Sequence, residues 1–395
     1  MKLYRKLLAA ALSAALTGSL AAGLPARAAL DAPDLSYAAE LDKTATLSSK
    51  EAAALLIREN FRERNASFTV TVGSSLISSK NDISDMISMA LAETGDPHEG
   101  DYLRWTIKRY SYTTTANSRN GTTSVAFTLT YNSTVQQETQ VDKAVDELIK
   151  KLDLNGKSNY EKISKIYSYI AGNVTYPDSI EDLPREYFSA YGALVNNAAV
   201  CQGYALLLYR LLSEADVPCR LIPGTANGGN HAWNIAEAGG KYYYLDVTWD
   251  STLGNSKPCY LMRGTSDFDS LLPQYSHSAG AWDPNSPLYS DYSANFFARY
   301  PMSETAYDPA SRLSFRLGDP DSDGRIDSTD ASVILAAYAR LSTGQTSGLT
   351  EPSKAAADAN SDGAIDSNDA SLILSYYALT STGSSLSLAD YIKTL

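Results

Sequence analysis

Cysteine, histidine and tryptophan are scarce in this 395-residue chain, which has three, three and four of them. Three cysteines cannot form a disulfide framework for a chain this long, so the fold has to rest on buried apolar cores. Either one bridge plus a single thiol, or three thiols, is open. Runs of Lys and Arg are missing as well, and the net charge is −12. That excludes nucleic acid and anionic membrane surfaces as expected partners, because both are bound through clustered cations. Past residue 24 no apolar run is long enough to span a bilayer.

The opening residues read as a secretory signal over 1–28. Lys2, Arg5 and Lys6 precede an apolar run from Leu7 to Leu24, and Ala26-Arg27-Ala28 is a small-x-small cleavage site. An uncleaved anchor is the alternative. Cleavage removes four basic residues and no acidic one, which takes the net charge from −12 to −16. No cysteine precedes Cys201, so a lipid-modified start is excluded. The expected product is secreted and extracellular, with no membrane contact.

The length suggests two or three domains. Residues 29–145 are expected to form a small α+β region. Helical patterns occupy Lys50 to Arg64 and Asp82 to Thr94. Phe68, Val70 and Val72 alternate as a strand does, as do Leu103, Trp105 and Ile107, and Val125 to Tyr131. A helical spacing runs from Val141 to Leu152. A second region, 146–300, shows a helix from Tyr160 to Ile170 and another that starts at Cys201 and stops at Asp216-Val217-Pro218. Strand-like runs follow at Cys219 to Ile222, Asn230 to Ile235 and Lys241 to Trp249. Residues 301–316 read as a linker, and 317–395 contain a repeat.

Cys201 opens its helix, where the macrodipole favours a thiolate. His231 and Asp246 lie on two runs separated by Gly239-Gly240, a hairpin turn signal. Their numbers add to an odd constant, so a two- or four-residue loop leaves both side chains on one face. A turn centred between Ala238 and Gly239 makes them directly opposed. A Gly239-Gly240 turn makes Asp246 the diagonal neighbour, with His231 opposite Thr248. Thiol, imidazole and carboxylate together suit acyl transfer through a thioester: a nucleophile, a base that protonates the leaving amine, and an orienting acid. The Cys201 backbone N–H is the expected oxyanion donor, with a second, unnamed donor upstream. Gln202 and Gly203 read as turn formers, and Trp233 and Trp249 as packing or walls. His98 and His277 have no matched partners in sequence and read as structural or solvated. Cys219 and Cys259 could pair, or both stay reduced.

The runs YGALVNNAAVCQGYA and NHAWNIAEAGGKYYYLDVTWD resemble the transglutaminase-like superfamily of papain-type folds over roughly 145–265, and FTLTYNSTVQQE resembles the lead-in of such proteins. The resemblance implies an α+β core with Cys201, His231 and Asp246 as nucleophile, base and orienter, and no cofactor in that domain. Cross-linking, proteolysis and amide hydrolysis all occur in the family, as does loss of catalysis. The Tyr, Ser and Asn of 251–300 make a polar aromatic surface suited to an extended peptide, which favours hydrolysis of a peptide or amide bond.

Residues 319–344 recur at 358–383. Each copy holds a twelve-residue loop with oxygens at positions 1, 3, 5, 9 and 12, Gly at 6, and a backbone carbonyl at 7, a calcium-loop pattern. The first set is Asp319, Asp321, Asp323, Arg325 (backbone), Asp327 and Asp330. The second is Asp358, Asn360, Asp362, Ala364 (backbone), Asp366 and Asp369. No helical pattern precedes Asp319, so each unit reads as loop plus helix. The duplicated form resembles the type I dockerin over about 317–384. That implies a small all-α module with two Ca2+ ions and the cohesin domain of a scaffoldin as partner, contacted through Ser328, Thr329, Ser367 and Asn368. The near-identity of the two faces leads to the expectation that the module docks in two orientations.

Overall fold

The computed structural model describes residues 46–395, apart from 254–257, 271–275, 283–285, 290, 293–294, 310–315, 385 and 395. The signal segment 1–28 and the start of the region after it lie outside the described residues. Among the described residues, no helix is long and apolar enough to cross a membrane.

The first region packs two helices on a three-stranded antiparallel sheet. Helices α1 (Lys50–Arg62) and α2 (Lys80–Ala90) start at Ser49 and Ser79, whose hydroxyls accept backbone N–H groups. Strands β1 (Ser67–Gly73), β2 (Ile107–Asn117) and β3 (Thr122–Tyr131) run in the order β1-β3-β2. Val70, Val72, Val125, Phe127 and Leu129 alternate inward against Leu56, Ile57, Phe61, Met86 and Ile87, and the core also takes in Leu288 from far along the chain. The alternation of Leu103, Trp105 and Ile107 is not a strand. Gly100–Thr106 forms the short helix α3, and β2 begins only at Ile107. All seven residues of α3 are buried, so inward-facing apolar positions do not distinguish a strand from a helix there.

The second region is built round one buried helix. After α4 (Val135–Leu152), α5 (Asn159–Asn173) and α6 (Ala190–Leu194) comes α7 (Cys201–Glu214), of which every residue from Gln202 to Leu212 is buried. A helix whose buried positions are mostly apolar all round belongs inside a protein; the exceptions here, Gln202 and Arg210, are both hydrogen-bonded. It packs against β5 of a second antiparallel sheet, ordered β6-β5-β4-β7, from strands β4 (Cys219–Ala226), β5 (Gly229–Ala238), β6 (Lys241–Leu245) and β7 (His277–Ala279). Gly203 is needed in α7 for closeness: a Cβ would come within 2.8 Å of the Tyr187 carbonyl oxygen. The strand expected over Lys241 to Trp249 stops at Leu245. Asp246 caps the short helix α8 (Val247–Thr252) by accepting the Trp249 N–H, so a local cap overrides the strand preference of Val247, Thr248 and Trp249. The 301–316 segment is tied to this sheet for at least its first half: Ser303 N–H donates to the Tyr242 carbonyl and Tyr307 N–H to that of Met262.

A charged cluster of Asp96, His98 and Asp142 meets Arg210 of α7 and so joins the two regions. His98 donates to Asp142 on α4 at 2.9 Å and to Asp96 at 3.0 Å. These two bonds raise its imidazole from 6.5 to about 9, against burial and the neighbouring Arg210. The stability it lends is complete below about 6.5 and is lost as pH rises through about 9. Thermal melts across pH 6–10 should therefore show the native protein losing its advantage over His98→Gln in that window; parallel curves would refute this clamp.

The repeat at the end forms α9 (Ser328–Ser342), α10 (Glu351–Ala357), α11 (Ser367–Ser381) and α12 (Leu388–Ile392), with α9 against α11. The loop-plus-helix reading needs correction in the second unit, where α10 leads directly into Asp358. Thr350 caps it and Pro352 sits in its first turn.

Candidate functional site

The hairpin turn is Gly239-Gly240, both at positive φ, with Ala238 paired to Lys241. Of the two registers, this is the one that leaves Asp246 diagonal to His231. Because β6 has ended, Asp246 reaches back from the mouth of α8 instead of from a strand. His231 Nε2 donates to Asp246 Oδ2 at 2.7 Å. Nδ1 takes no part in that bond, and the Cys201 thiol is near enough to act on the charge of the ring. Burial alone would lower the His231 pKa, but the Asp246 charge and the bonds to Asp246 and Cys201 overcome it and raise it to about 10. Asp246 is fully buried; even so, His231 and His277 hold its carboxyl below the usual carboxylate range.

Cys201 sits at the first turn of α7 with Val200 at the cap position. Gln202, expected to shape the turn, is a clamp: its amide donates to the Trp105 carbonyl at 2.9 Å and the Phe188 carbonyl at 3.1 Å. The helix start is also held by a parallel bridge between Thr175 and Ala198, with Ala199 N–H donating to the Thr175 carbonyl. That bridge brings the next residue, Tyr176, to the Cys201 backbone N–H, where burial raises its phenol to about 12. The rings of Trp233 and Trp249 flank His231 at 5.9 and 5.1 Å as walls.

The reading of His277 as unpartnered is corrected. Its Nε2 lies 3.0 Å from Asp246 Oδ2 and its Nδ1 2.6 Å from Asp269 Oδ1, both hydrogen-bonded. Asp269 lies eight residues before it in an aperiodic stretch, and no spacing rule flags such a pair. The donor atoms of His231, Asp246 and His277 lie within 4.8 Å of one another. Hydrogen bonds from both imidazoles to one carboxylate oxygen account for that closeness. All three cysteines are reduced thiols, so the Cys219–Cys259 bridge is not formed. Cys219 is buried, and burial pushes its thiol well above the ordinary range.

In the repeat, Asp319, Asp321 and Asp323 bring carboxylate oxygens within 4.8 Å of one another. Ser322 with Gly324, and Ser361 with Gly363, take left-handed backbone in both loops. Asp323 and Asp362 accept the N–H groups of Arg325 and Ala364. Asp327 and Asp366 cap α9 and α11 through Thr329 and Asn368 N–H, each at 2.7 Å. Asp330 gives one oxygen to the Asp327 N–H, while the other is buried with no hydrogen-bond partner. Burial and the Asp321, Asp319 and Asp327 charges raise its carboxyl to about 6. An orphaned carboxylate oxygen beside three clustered aspartates fits a hard divalent cation of the calcium type. Ser328, Thr329, Ser367 and Asn368 are exposed on the first turns of α9 and α11.

Comparison with known proteins agrees with two modules. Residues 146–247 match the family model of the Transglutaminase-like superfamily, and residues 317–376 that of the Dockerin type I domain. The kyphoscoliosis peptidase of Mus musculus is 27% identical over 126 residues, 29% of this chain and 19% of that protein. That of Homo sapiens is 27% identical over 122 residues, 28% of this chain and 18% of that protein. The chain thus spans less than a fifth of the length of these curated relatives. A solved structure described as a TGase shares 13% identity over 51% of this chain and 58% of its own, with a TM-score of 0.27.

Proposed function

We propose a role for a chain that carries a transglutaminase-like core and a type I dockerin: it is a secreted, cellulosome-type cysteine hydrolase of peptide or amide bonds, attached through its dockerin to a scaffoldin cohesin. The observation that carries the catalytic half is the buried His231–Asp246 pair at 2.7 Å, with the Cys201 thiol near enough to influence the imidazole.

In this reading Cys201 attacks as the thiolate of an ion pair with His231. The tetrahedral oxyanion is met by the Cys201 N–H and by the Tyr176 hydroxyl beside it. The His231 proton passes to the leaving amine, which departs and leaves a thioester. Water, deprotonated by His231, then releases the acid and restores the thiol. Asp246 holds the ring with Nδ1 toward the sulfur throughout. Incubating the full chain with a peptide library, with and without a primary amine, tests this. Cleavage or deamidation products that vanish in Cys201→Ser are expected. Dominant amine incorporation would turn the reading to a cross-linking transglutaminase, and no reaction from an unreactive thiol would make the chain an inactive binding protein.

Type I dockerins bind calcium; here two ions are proposed, one per loop. The first loop's aspartates and Asp330 would hold one, and Asp358, Asn360, Asp362, Asp366 and Asp369 the other. The module's small core is rich in alanine (Ala331, Ala357, Ala359, Ala370), so it buries little apolar area and would rely on the ions. Beside the first-turn residues, Leu335 and Tyr338 on α9 are exposed, and so are their 39-residue repeats Leu374 and Tyr377 on α11. Against a panel of cohesins, Thr329→Arg with Leu335→Arg, or Asn368→Arg with Leu374→Arg, should each leave binding nearly intact. The combined variant, or chelation, should abolish it. Loss with one face alone would refute two-way docking.

A further inference from the structure

We propose that His277 and Asp269 form a second histidine–carboxylate pair that positions Asp246 and offsets its charge, so that His277 is a positioning residue for the chemistry at Cys201. This rests on the reading of Cys201 as a nucleophile.

The sheet is shaped to admit this pair. β7 runs along the free edge of β4, with His277 opposite Ala226, while His231 on β5 lies across β4 from Gly224. A Cβ on Gly224 would come 2.3 Å from the Ser278 carbonyl oxygen and 2.4 Å from the Trp233 ring. Glycine there lets β7 and the Trp233 ring close in, and the two imidazoles stand 5.5 Å apart. The His277 side chain is 2% exposed. Phe268, Trp249, Trp233 and Tyr260 surround its ring at 4.3 to 5.5 Å.

A core histidine held only by packing needs one hydrogen-bond partner. This one has a carboxylate on each ring nitrogen, and Asp269 Oδ2 also accepts the His277 backbone N–H at 2.9 Å. A neutral imidazole carries a single N–H, so donation at both ends takes a ring with both protons. In this proposal the groups alternate in charge along Asp269, His277, Asp246, His231 and Cys201. Two N–H groups fix Asp246 Oδ2, and the Trp249 N–H fixes Oδ1 at 3.2 Å. The carboxylate is locked in one orientation. Left to itself, a fully buried Asp246 would hold the His231 proton too firmly for transfer to a leaving amine; a cation on its other side weakens that hold. The other titratable groups that feel the Asp246 charge are Asp250, Tyr260, Tyr176 and Tyr167, the last of which donates to the Asp246 backbone carbonyl. None of these is altered by the variants below.

The test is the rate of Cys201 alkylation by iodoacetamide between pH 5 and 11, read by peptide mass spectrometry on the full chain. Removing a cation raises neighbouring pKa values, so in His277→Gln both limbs of the profile should move up, the His231 limb by about one pH unit. Asp269→Asn changes the charge of the series without touching the aromatic cage and should move the same limb; it decides the matter where His277→Gln does not fold. A His231 limb unmoved in every folded variant overturns the proposal and makes His277 packing alone. A slow native thiol that is indifferent to His231→Ala overturns the nucleophile reading instead.

Discussion

His231→Ala is expected to cut the proposed peptide or amide hydrolysis by about 10²–10⁴-fold, the range for losing a positioned acid–base group. It should also return Cys201 to ordinary alkylation, with an inflection near the free-thiol value of about 8.5. In the proposed mechanism the loss follows from the pair itself: without the imidazole, Cys201 keeps only the helix dipole beside it, and the leaving amine has no proton donor. Asp246→Asn should cost a comparable factor, since an amide cannot hold Nδ1 toward the sulfur through a charged bond at Nε2, and the cap on α8 weakens as well. The pH profile carries an independent sign. With His231 raised to about 10, the proton it must donate is retained well above the ordinary 6.5, so activity should persist through pH 8–9 and fall only as pH approaches 10. Stability linked to this group follows the same direction, full below about 6.5 and lost through about 10. A basic limb near 6.5, or an unchanged thiol profile in His231→Ala, would show that the pair does not act together.

What could be read ahead of the structure was what local chemistry dictates. Gly239-Gly240 announced a two-residue turn, but parity alone did not place Asp246, which meets His231 from the cap of α8 just past the end of β6. The lone Cys201 at a helix start needed only the helix pattern and the stop at Pro218. The repeat's oxygen pattern was legible because it recurs after 39 residues, and the structure clusters Asp319, Asp321 and Asp323 from its first copy. The misreadings came where tertiary context chose between periods. Leu103, Trp105 and Ile107 alternate, yet α3 is buried all round, so the pattern carried no period information. The Val-Thr-Trp run after Asp246 has strand residues, and a single cap bond turned it into α8. His277 was invisible for a different reason: the pairing of β7 with β4 brings it to Asp246 across 31 residues with no sequence rhythm. The same holds for Gln202, whose acceptor, the Trp105 carbonyl, lies 97 residues away.

Arg220→Met should lower the stability to urea by about 3–5 kcal/mol, the cost of stranding a buried charge. Arg220 is 3% exposed and grips Asp101, which is 0% exposed, through Nε at 2.7 Å and a second nitrogen at 3.0 Å. Asp291 and Tyr300 bind the same guanidinium, and the rings of Tyr292 and Phe296 lie over it. Asp101 also accepts the Leu221 N–H and the Tyr292 hydroxyl, so it stays in place when Arg220 is removed, with only the longer 3.5 Å pair to Arg104 left to balance it. Nearby Glu93, raised to about 7 by burial and by Asp101, would gain a further incentive to take up a proton. A domain's whole stability is about 5–15 kcal/mol, so this is a large share of it. Replacing Asp101 by Asn in the same chain should recover part of the loss, because the stranded charge goes with it; additive losses, or a cost under about 1 kcal/mol for Arg220→Met, would contradict the argument. The effect should also reach the thiol. Helix α3 holds both Asp101 and Trp105, and the Trp105 carbonyl is what Gln202, the neighbour of Cys201, is fastened to. Loosening Asp101 therefore loosens the first turn of α7, and alkylation of Cys201 in Arg220→Met should slow at temperatures well below its melt.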